Sequence, residues 1–311
     1  MTTPHTPPGP KMGSSKVHGR LPMPPIGLVR RFPLVCYFAL AYALSGIALL
    51  VIGLPKLSPS AGRSTTSLAM FPMMVVGVGV LGVALTRATE GPRGIRELRL
   101  RLTRRVARRW LLVLALPPIA ILAVLGGLEA GASAKFAPGF LVFGFAAGAL
   151  AGFFEEPGWT GFAYPRMQAR FGPLGGALLL GVLWGLWHFP VVDSLGAASP
   201  HGRYWPEFFG AFVATIVALR VLIAWVYANT GSLRMAQLLH ASSTGFLVIL
   251  GAPKATPGQE ALWYVAYAAV LWVIVVAVVA LRGRTLCGQP RTRGQSHRPT
   301  TASSPPGTAS A

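Results

Sequence analysis

Two adjacent glutamates, Glu155 and Glu156, close an apolar run, L-V-F-G-F-A-A-G-A-L-A-G-F-F. Two histidines sit in similar company, His188 in G-V-L-W-G-L-W-H-F-P and His240 in M-A-Q-L-L-H-A-S-S-T. The chain has only eight acidic residues and six histidines, so four such groups on three apolar stretches call for a reason. An ionisable side chain at mid-bilayer costs about 2.5–3.5 kcal/mol on insertion scales and is by default a functional-site hypothesis. Adjacent carboxylates also repel each other unless a cation neutralises one of them. Peptide-bond hydrolysis needs a base to deprotonate water and a donor for the developing oxyanion. A carboxylate–imidazole pair offers the first, and His240 with Thr244, one turn further on, offers the second. No Ser or Cys nucleophile has an obvious paired base.

These residues need helices to hold them. The 311 residues are 53% hydrophobic and 12% charged, about half the charge of a soluble domain. Apolar runs of about 20 residues recur, each long enough to cross a hydrocarbon core of about 30 Å. Eight spans are predicted, at about 34–54, 66–86, 110–128, 138–160, 173–192, 207–228, 234–251 and 262–281. The fold class expected is an all-α, polytopic membrane helical bundle of about eight helices. Residues 1–30 and 283–311 are polar and rich in Pro, Gly, Ser or Thr; such compositions read as disordered tails flanking a transmembrane domain at 31–282. Depth along the helices is consistent with one site. Glu155 lies about 15 Å up a helix from Pro165, or about 21 Å if that helix runs on to Ala169, His240 about 15 Å from Thr230, and His188 about 22 Å from Pro173. Pro157 and Gly158 are expected to kink or open the helix beside the glutamates.

The net charge of +20 reads as membrane topology rather than nucleic-acid binding, because the basic residues fall in blocks between apolar runs. With the amino terminus inside, 22 of the 28 Lys and Arg lie on inner segments, nine of them between Arg87 and Arg109, and five lie outside. The positive-inside rule then places both termini in the cytoplasm of a multi-pass cell-membrane protein. Residues 91–109 read as a basic helix on the inner leaflet. Cys36 and Cys287 lie far apart on that inner side, where reduced, unpaired thiols are the default.

The order and spacing of these motifs resemble the CPBP family, the type II CAAX prenyl endopeptidases and their bacteriocin-processing and immunity relatives. The first family motif, Glu-Glu-x-x-x-Arg, is E-E-P-G-W-T here; the second, Phe-x-x-x-His, is Trp184-Gly-Leu-Trp-His188. The third, His-x-x-x-Asn, is His240-Ala-Ser-Ser-Thr244. The resemblance covers about residues 138–250. It implies an eight-helix membrane glutamic endopeptidase with no required metal, acting on a membrane-associated peptide or protein. Glu155 and His188 would activate a water, and His240 and Thr244 would stabilise the oxyanion. Three positions depart from the pattern. Thr160 stands where the family has Arg, Trp184 replaces Phe, and Thr244 replaces Asn while keeping a hydroxyl donor. Arg220, the one basic residue well inside a span, lies about 15 Å from Thr230, near the depth of Glu156. It is expected to supply the cation missing at Thr160; the alternative is that it snorkels to the inner headgroups.

Three other function classes fit the same residues. Two His and a Glu are a zinc ligand set, although no H-E-x-x-H occurs, which makes a metal-dependent membrane hydrolase the first. The second is a proton-coupled transporter, since Glu and His also form relays, although the sequence lacks the two-half repeat common in transporters. The third is a non-catalytic immunity or scaffold protein.

Overall fold

A computed structural model describes residues 25–53, 65–194 and 196–287. Those residues form helices and connecting turns and no strand. Residues 1–24 and 288–311, most of the expected tails, lie outside the described residues; within the expected first tail, Pro25–Arg31 is a short helix, α1.

Next come α2 (Pro33–Ile52) and α3 (Thr65–Thr103). In α3 the backbone breaks at Gly91 (φ 65, ψ −153) before Pro92. The break turns residues 92–103 into a separate basic limb, with Leu98 buried and Arg93, Arg96 and Arg99 exposed. A 3-10 segment, Arg108–Ala115, leads into α4 (Leu116–Gly131). Then follow α5 (Phe143–Glu156), a π-helical segment (Pro157–Ala163), α6 (Tyr164–Trp187), α7 (Trp205–Thr230), α8 (Leu233–Leu250) and α9 (Pro257–Arg282). Their lipid-side faces carry large apolar residues such as Leu50, Leu112, Val273 and Val276, all more than half exposed.

Seven stretches of the described residues are long and apolar enough to cross a membrane, where eight were expected. The difference lies in Phe143–Trp187, one helical stretch of 45 residues. Drawn straight it would be about 67 Å long, twice the hydrocarbon thickness. It is not straight. Gly172 takes φ 74 and ψ 167, a conformation suited to glycine, and Pro173 follows. Beyond this break the chain doubles back, so that the indole of Trp184 lies 2.8 Å from Glu155, 29 residues earlier. Counting the two limbs separately restores eight passes. The turn falls at Gly172 rather than near Pro165, which also lengthens the reach up to Glu155 and brings it level with His188.

The deepest helix contact is between α5 and α8, set by Gly144, Gly148 and Gly152 at four-residue spacing. A Cβ at any of them would meet the α8 backbone, at Gly245, Ala241 and Gln237 in turn. Small residues at this period let transmembrane backbones approach closely, and this approach carries His240 to the glutamates. Gly148→Leu is therefore expected to destabilise the protein by about 3 kcal/mol or more through overpacking. Gly126→Leu, where a Cβ meets nothing within 4 Å, should be neutral. Thermal unfolding of both variants in detergent checks this; equal midpoints would refute the close contact.

The bundle has two distinct ends. At one, Arg30 Nε donates to the Ala88 carbonyl (3.3 Å), Arg166 pairs with Glu90, and the Leu174 N–H donates to the Arg284 carbonyl (3.2 Å). At the other, the Gly139 N–H donates to the Gly251 carbonyl (3.2 Å), and the 194–201 loop meets the start of α9.

Candidate active site

Glu155 and Glu156 are fully buried at the end of α5, where Pro157 and Gly158 open the π-helical turn. Such turns widen the backbone and recur at functional sites. Being adjacent, the two carboxylates diverge and acquire different surroundings.

Glu156 is the tied one. Arg220 from α7 meets it end-on, with Nη2 at 2.7 Å from Oε1 and Nη1 at 3.1 Å from Oε2. The same Nη1 donates to the Thr160 hydroxyl at 2.9 Å, and that hydroxyl donates to Glu156 Oε2. Thr160 thus stays in the network although it brings no charge; the cation comes from a neighbouring helix instead. His240 Nδ1 lies 2.9 Å from Glu156 Oε1. A carboxylate oxygen only accepts, so Nδ1 carries the hydrogen. Both oxygens of Glu156 are committed to partners.

Glu155 is held by one oxygen. Oε2 accepts from the indole N–H groups of Trp159 (2.9 Å) and Trp184 (2.8 Å), while Oε1 has no hydrogen-bond partner among the described residues. Trp184 joins three of these groups: its N–H faces Glu155, its ring face lies under the Arg220 guanidinium at 4.3 Å, and its ring packs edge-to-face with that of His240, centroids 4.8 Å apart. Phenylalanine, the residue of the family motif, could keep the wall and a weaker cation–π contact but could not donate. Trp184→Phe is expected to lower stability by about 1.5–3 kcal/mol, the range of a hydrogen bond to a charged group, with helix content unchanged. Unfolding in detergent measures it; a midpoint equal to that of the parent protein would show that the second indole contributes nothing.

His188 follows the last residue of α6. Its Nδ1 lies 2.9 Å from the Trp184 carbonyl oxygen, so this nitrogen donates and Nε2 is left as an acceptor. Its hydrogen bond goes to the backbone rather than to Glu155. Glu155, His188, His240 and Thr244 nevertheless line one cavity of about 730 Å³. Most of its wall is apolar, including Leu150, Phe212, Ile216 and Leu247. Among the described residues no group of three or more His, Cys, Asp or Glu side chains is disposed to hold a metal ion.

One buried polar cluster lies outside the three motifs and joins Asp193, His201 and Glu260. His201 is fully buried, with Nδ1 at 2.6 Å from Asp193 and Nε2 at 3.0 Å from Glu260. Its ring stacks on Phe208 at 3.6 Å. Glu260 also accepts from the N–H groups of Ala197 (2.8 Å) and Ala198 (2.6 Å). Burial opposes the charge on His201, but the two carboxylates outweigh it and raise its pKa above the ordinary value. The cluster clamps the 193–201 loop to α9. A carboxylate in the first turn of an apolar helix was the signal that pointed to it.

Comparison with known proteins bears on this segment. Residues 137–246 match the family described as type II CAAX prenyl endopeptidase Rce1-like. The match runs from just before α5 into α8 and contains all three motifs. A stretch of 99 residues is 30% identical to CAAX prenyl protease 2 of Methanococcus maripaludis, covering 29% of this chain and 34% of that protein. The chain therefore matches about a third of the relative's length. Over that stretch the family resemblance read from the motifs is borne out.

Proposed function

We propose, from a core of the type II CAAX prenyl endopeptidase-like kind, that this multi-pass membrane protein hydrolyses peptide bonds within the bilayer. One observation carries the reading. Glu155 is pinned through Oε2, and its unpartnered Oε1 belongs to a residue lining a largely apolar cavity shared with two histidines and a threonine. A carboxylate so oriented can take a proton from a water on the cavity side. His188, with Nε2 as acceptor, aligns that water. The Thr244 hydroxyl stabilises the oxyanion, and His240 joins it only as an imidazolium, since its Nδ1–H is already given to Glu156 and a second proton is needed for Nε2 to donate. The water oxygen adds to the scissile carbonyl carbon. The proton held by Glu155 then passes to the departing amine as the C–N bond breaks.

Glu156 serves differently: with Arg220, Thr160 and His240 it forms a closed network that orients the His240 ring. Zinc-dependent hydrolysis would need some of these same groups as ligands, and both oxygens of Glu156 are already taken. The test is direct. The purified protein is incubated with membrane proteins, and new amino termini are read by mass spectrometry. Termini produced by the parent protein and missing with Glu155→Gln support the reading. An identical set from both, or no new termini across the membrane proteome, removes it.

A further inference from the structure

The Asp193–His201–Glu260 cluster borders the same cavity. Ser194, Gly196 and Ala197, from the segment between α6 and α7, line it together with Glu260 and Tyr264 of α9. His201 ties these two parts of the wall together. Its Nδ1 faces Asp193 at 2.6 Å and its Nε2 faces Glu260 at 3.0 Å. A carboxylate oxygen only accepts, so between two ionised carboxylates each ring nitrogen carries a hydrogen and the ring is an imidazolium. Its parallel stack on Phe208, with centroids 3.6 Å apart, suits a cation over an aromatic face. Among the described residues the charged groups facing the ring are those two carboxylates. The α7 helix presents Phe208, Tyr264 of α9 packs on the Phe208 ring at 4.8 Å, and Arg203 is turned to the Tyr204 hydroxyl at 2.7 Å. A run of rings continues to the candidate site. Phe208 packs on Phe212 at 6.5 Å, and Phe212 meets His188 edge-to-face at 5.2 Å.

Resting on the protease reading of that site, we propose that His201, as an imidazolium, is a positioning residue: it clamps one wall of the cavity to α9 and so sets how tightly a peptide is held rather than how fast its bond is cut. A neutral imidazole carries a single hydrogen. Loss of the proton therefore turns a lone pair toward a carboxylate oxygen and breaks one side of the clamp. Burial opposes the charge, but the two carboxylates outweigh it, so the pKa of His201 lies above the ordinary value of about 6.5. The clamp is complete below that ordinary value and is lost as pH rises through the raised one. The N–H groups of Ala197 and Ala198 donate to Glu260 at 2.8 and 2.6 Å while the segment stays in place, which makes those amides reporters of the clamp.

Amide hydrogen exchange on the full chain in detergent tests the clamp without requiring turnover. Protection of the peptide that contains Ala197 and Ala198, corrected for intrinsic exchange, should fall as pH rises. The fall is up to about tenfold per pH unit over the range in which His201 is protonated only in the closed clamp. Asp193→Asn should move the fall to lower pH, since it removes one of the two charges that hold the proton. His201→Gln should leave protection low and independent of pH. Protection that is flat with pH in the parent protein, or that falls at the same pH in Asp193→Asn or His201→Gln, overturns the proposal. Steady-state kinetics on a substrate found by terminal mapping then tests the link to the site. The alkaline rise in KM should shift with the exchange midpoint in Asp193→Asn, with kcat as in the parent protein. A KM that ignores the substitution, or a fall in kcat instead, overturns the positioning role while cleavage that depends on Glu155 stands. If exchange behaves as expected and no peptide is ever cleaved, the protease reading fails and takes the positioning role with it, leaving only a pH-sensitive clamp.

Discussion

Glu155→Gln should reduce cleavage by about 10²-fold or more while leaving the fold in place. The substitution keeps the size of the side chain. Its amide oxygen can still accept from the Trp159 and Trp184 indoles, which contact Glu155 Oε2 at 2.9 and 2.8 Å. What is lost is the lone pair at Oε1 that would receive the proton of water, since an amide group there is no base. The thermal midpoint is expected to stay near that of the parent protein, so the loss appears in turnover rather than in the amount of folded protein. The measurement is the initial rate on the first substrate found by terminal mapping, at matched folded concentration. A variant that turns over at the parental rate removes Glu155 from the chemistry. A variant that is slow only because it unfolds is distinguished by its midpoint.

Much of this site could be read from the chain because the bilayer makes polar residues expensive. Glu155, Glu156, His188, His240 and Arg220 each stand out against apolar neighbours, and helical rise placed them at comparable depth. What was hidden depends on backbone irregularity and on long-range packing. The reversal at Gly172 rather than near Pro165 follows from a positive φ that Gly-Pro permits but does not dictate. The π-helical turn after Glu156 places Trp159 below Glu155 and Thr160 below Glu156, so that adjacent carboxylates receive unlike partners. Trp184 stands where the motif has Phe, yet its N–H faces Glu155, and only the tertiary position of Glu155 reveals that. The Gly144–Gly148–Gly152 spacing is of the kind that lets transmembrane backbones approach, but which helix it meets is decided only by the tertiary packing. The Asp193–His201–Glu260 cluster joins residues 67 positions apart and had no local signature beyond the acidic first turn of α9.

Arg220→Ala should destabilise the protein by about 3–5 kcal/mol, the usual cost of leaving one partner of a buried ion pair alone. Arg220 and Glu156 are both buried, and the pair is bidentate. Removing the guanidinium leaves Glu156 with Thr160 and His240 but no permanent cation, and Trp184 loses the charge over its ring. Glu156→Ala leaves the arginine without its counter-charge, held only by the Thr160 hydroxyl and the Trp184 ring face. Removing both leaves no unpaired charge, so the double variant should lose well under the sum of the singles. A coupling of about 2 kcal/mol or more is expected from thermal unfolding in detergent, within the range for residues in one buried network. Arg220→Lys should recover little, because an ammonium cannot span both carboxylate oxygens. Thr160→Arg in the Arg220→Ala background should recover part of the loss, since residue 160 follows Glu156 by one helical turn and already bonds to it. Losses that simply add, or no recovery from Thr160→Arg, would mean that the cation has not moved between helices. With the pair in place Glu156 is neutralised by Arg220 and engaged by His240. That spares Glu155 the repulsion of an unpaired neighbour and leaves its Oε1 as the one carboxylate oxygen of the four that is uncommitted.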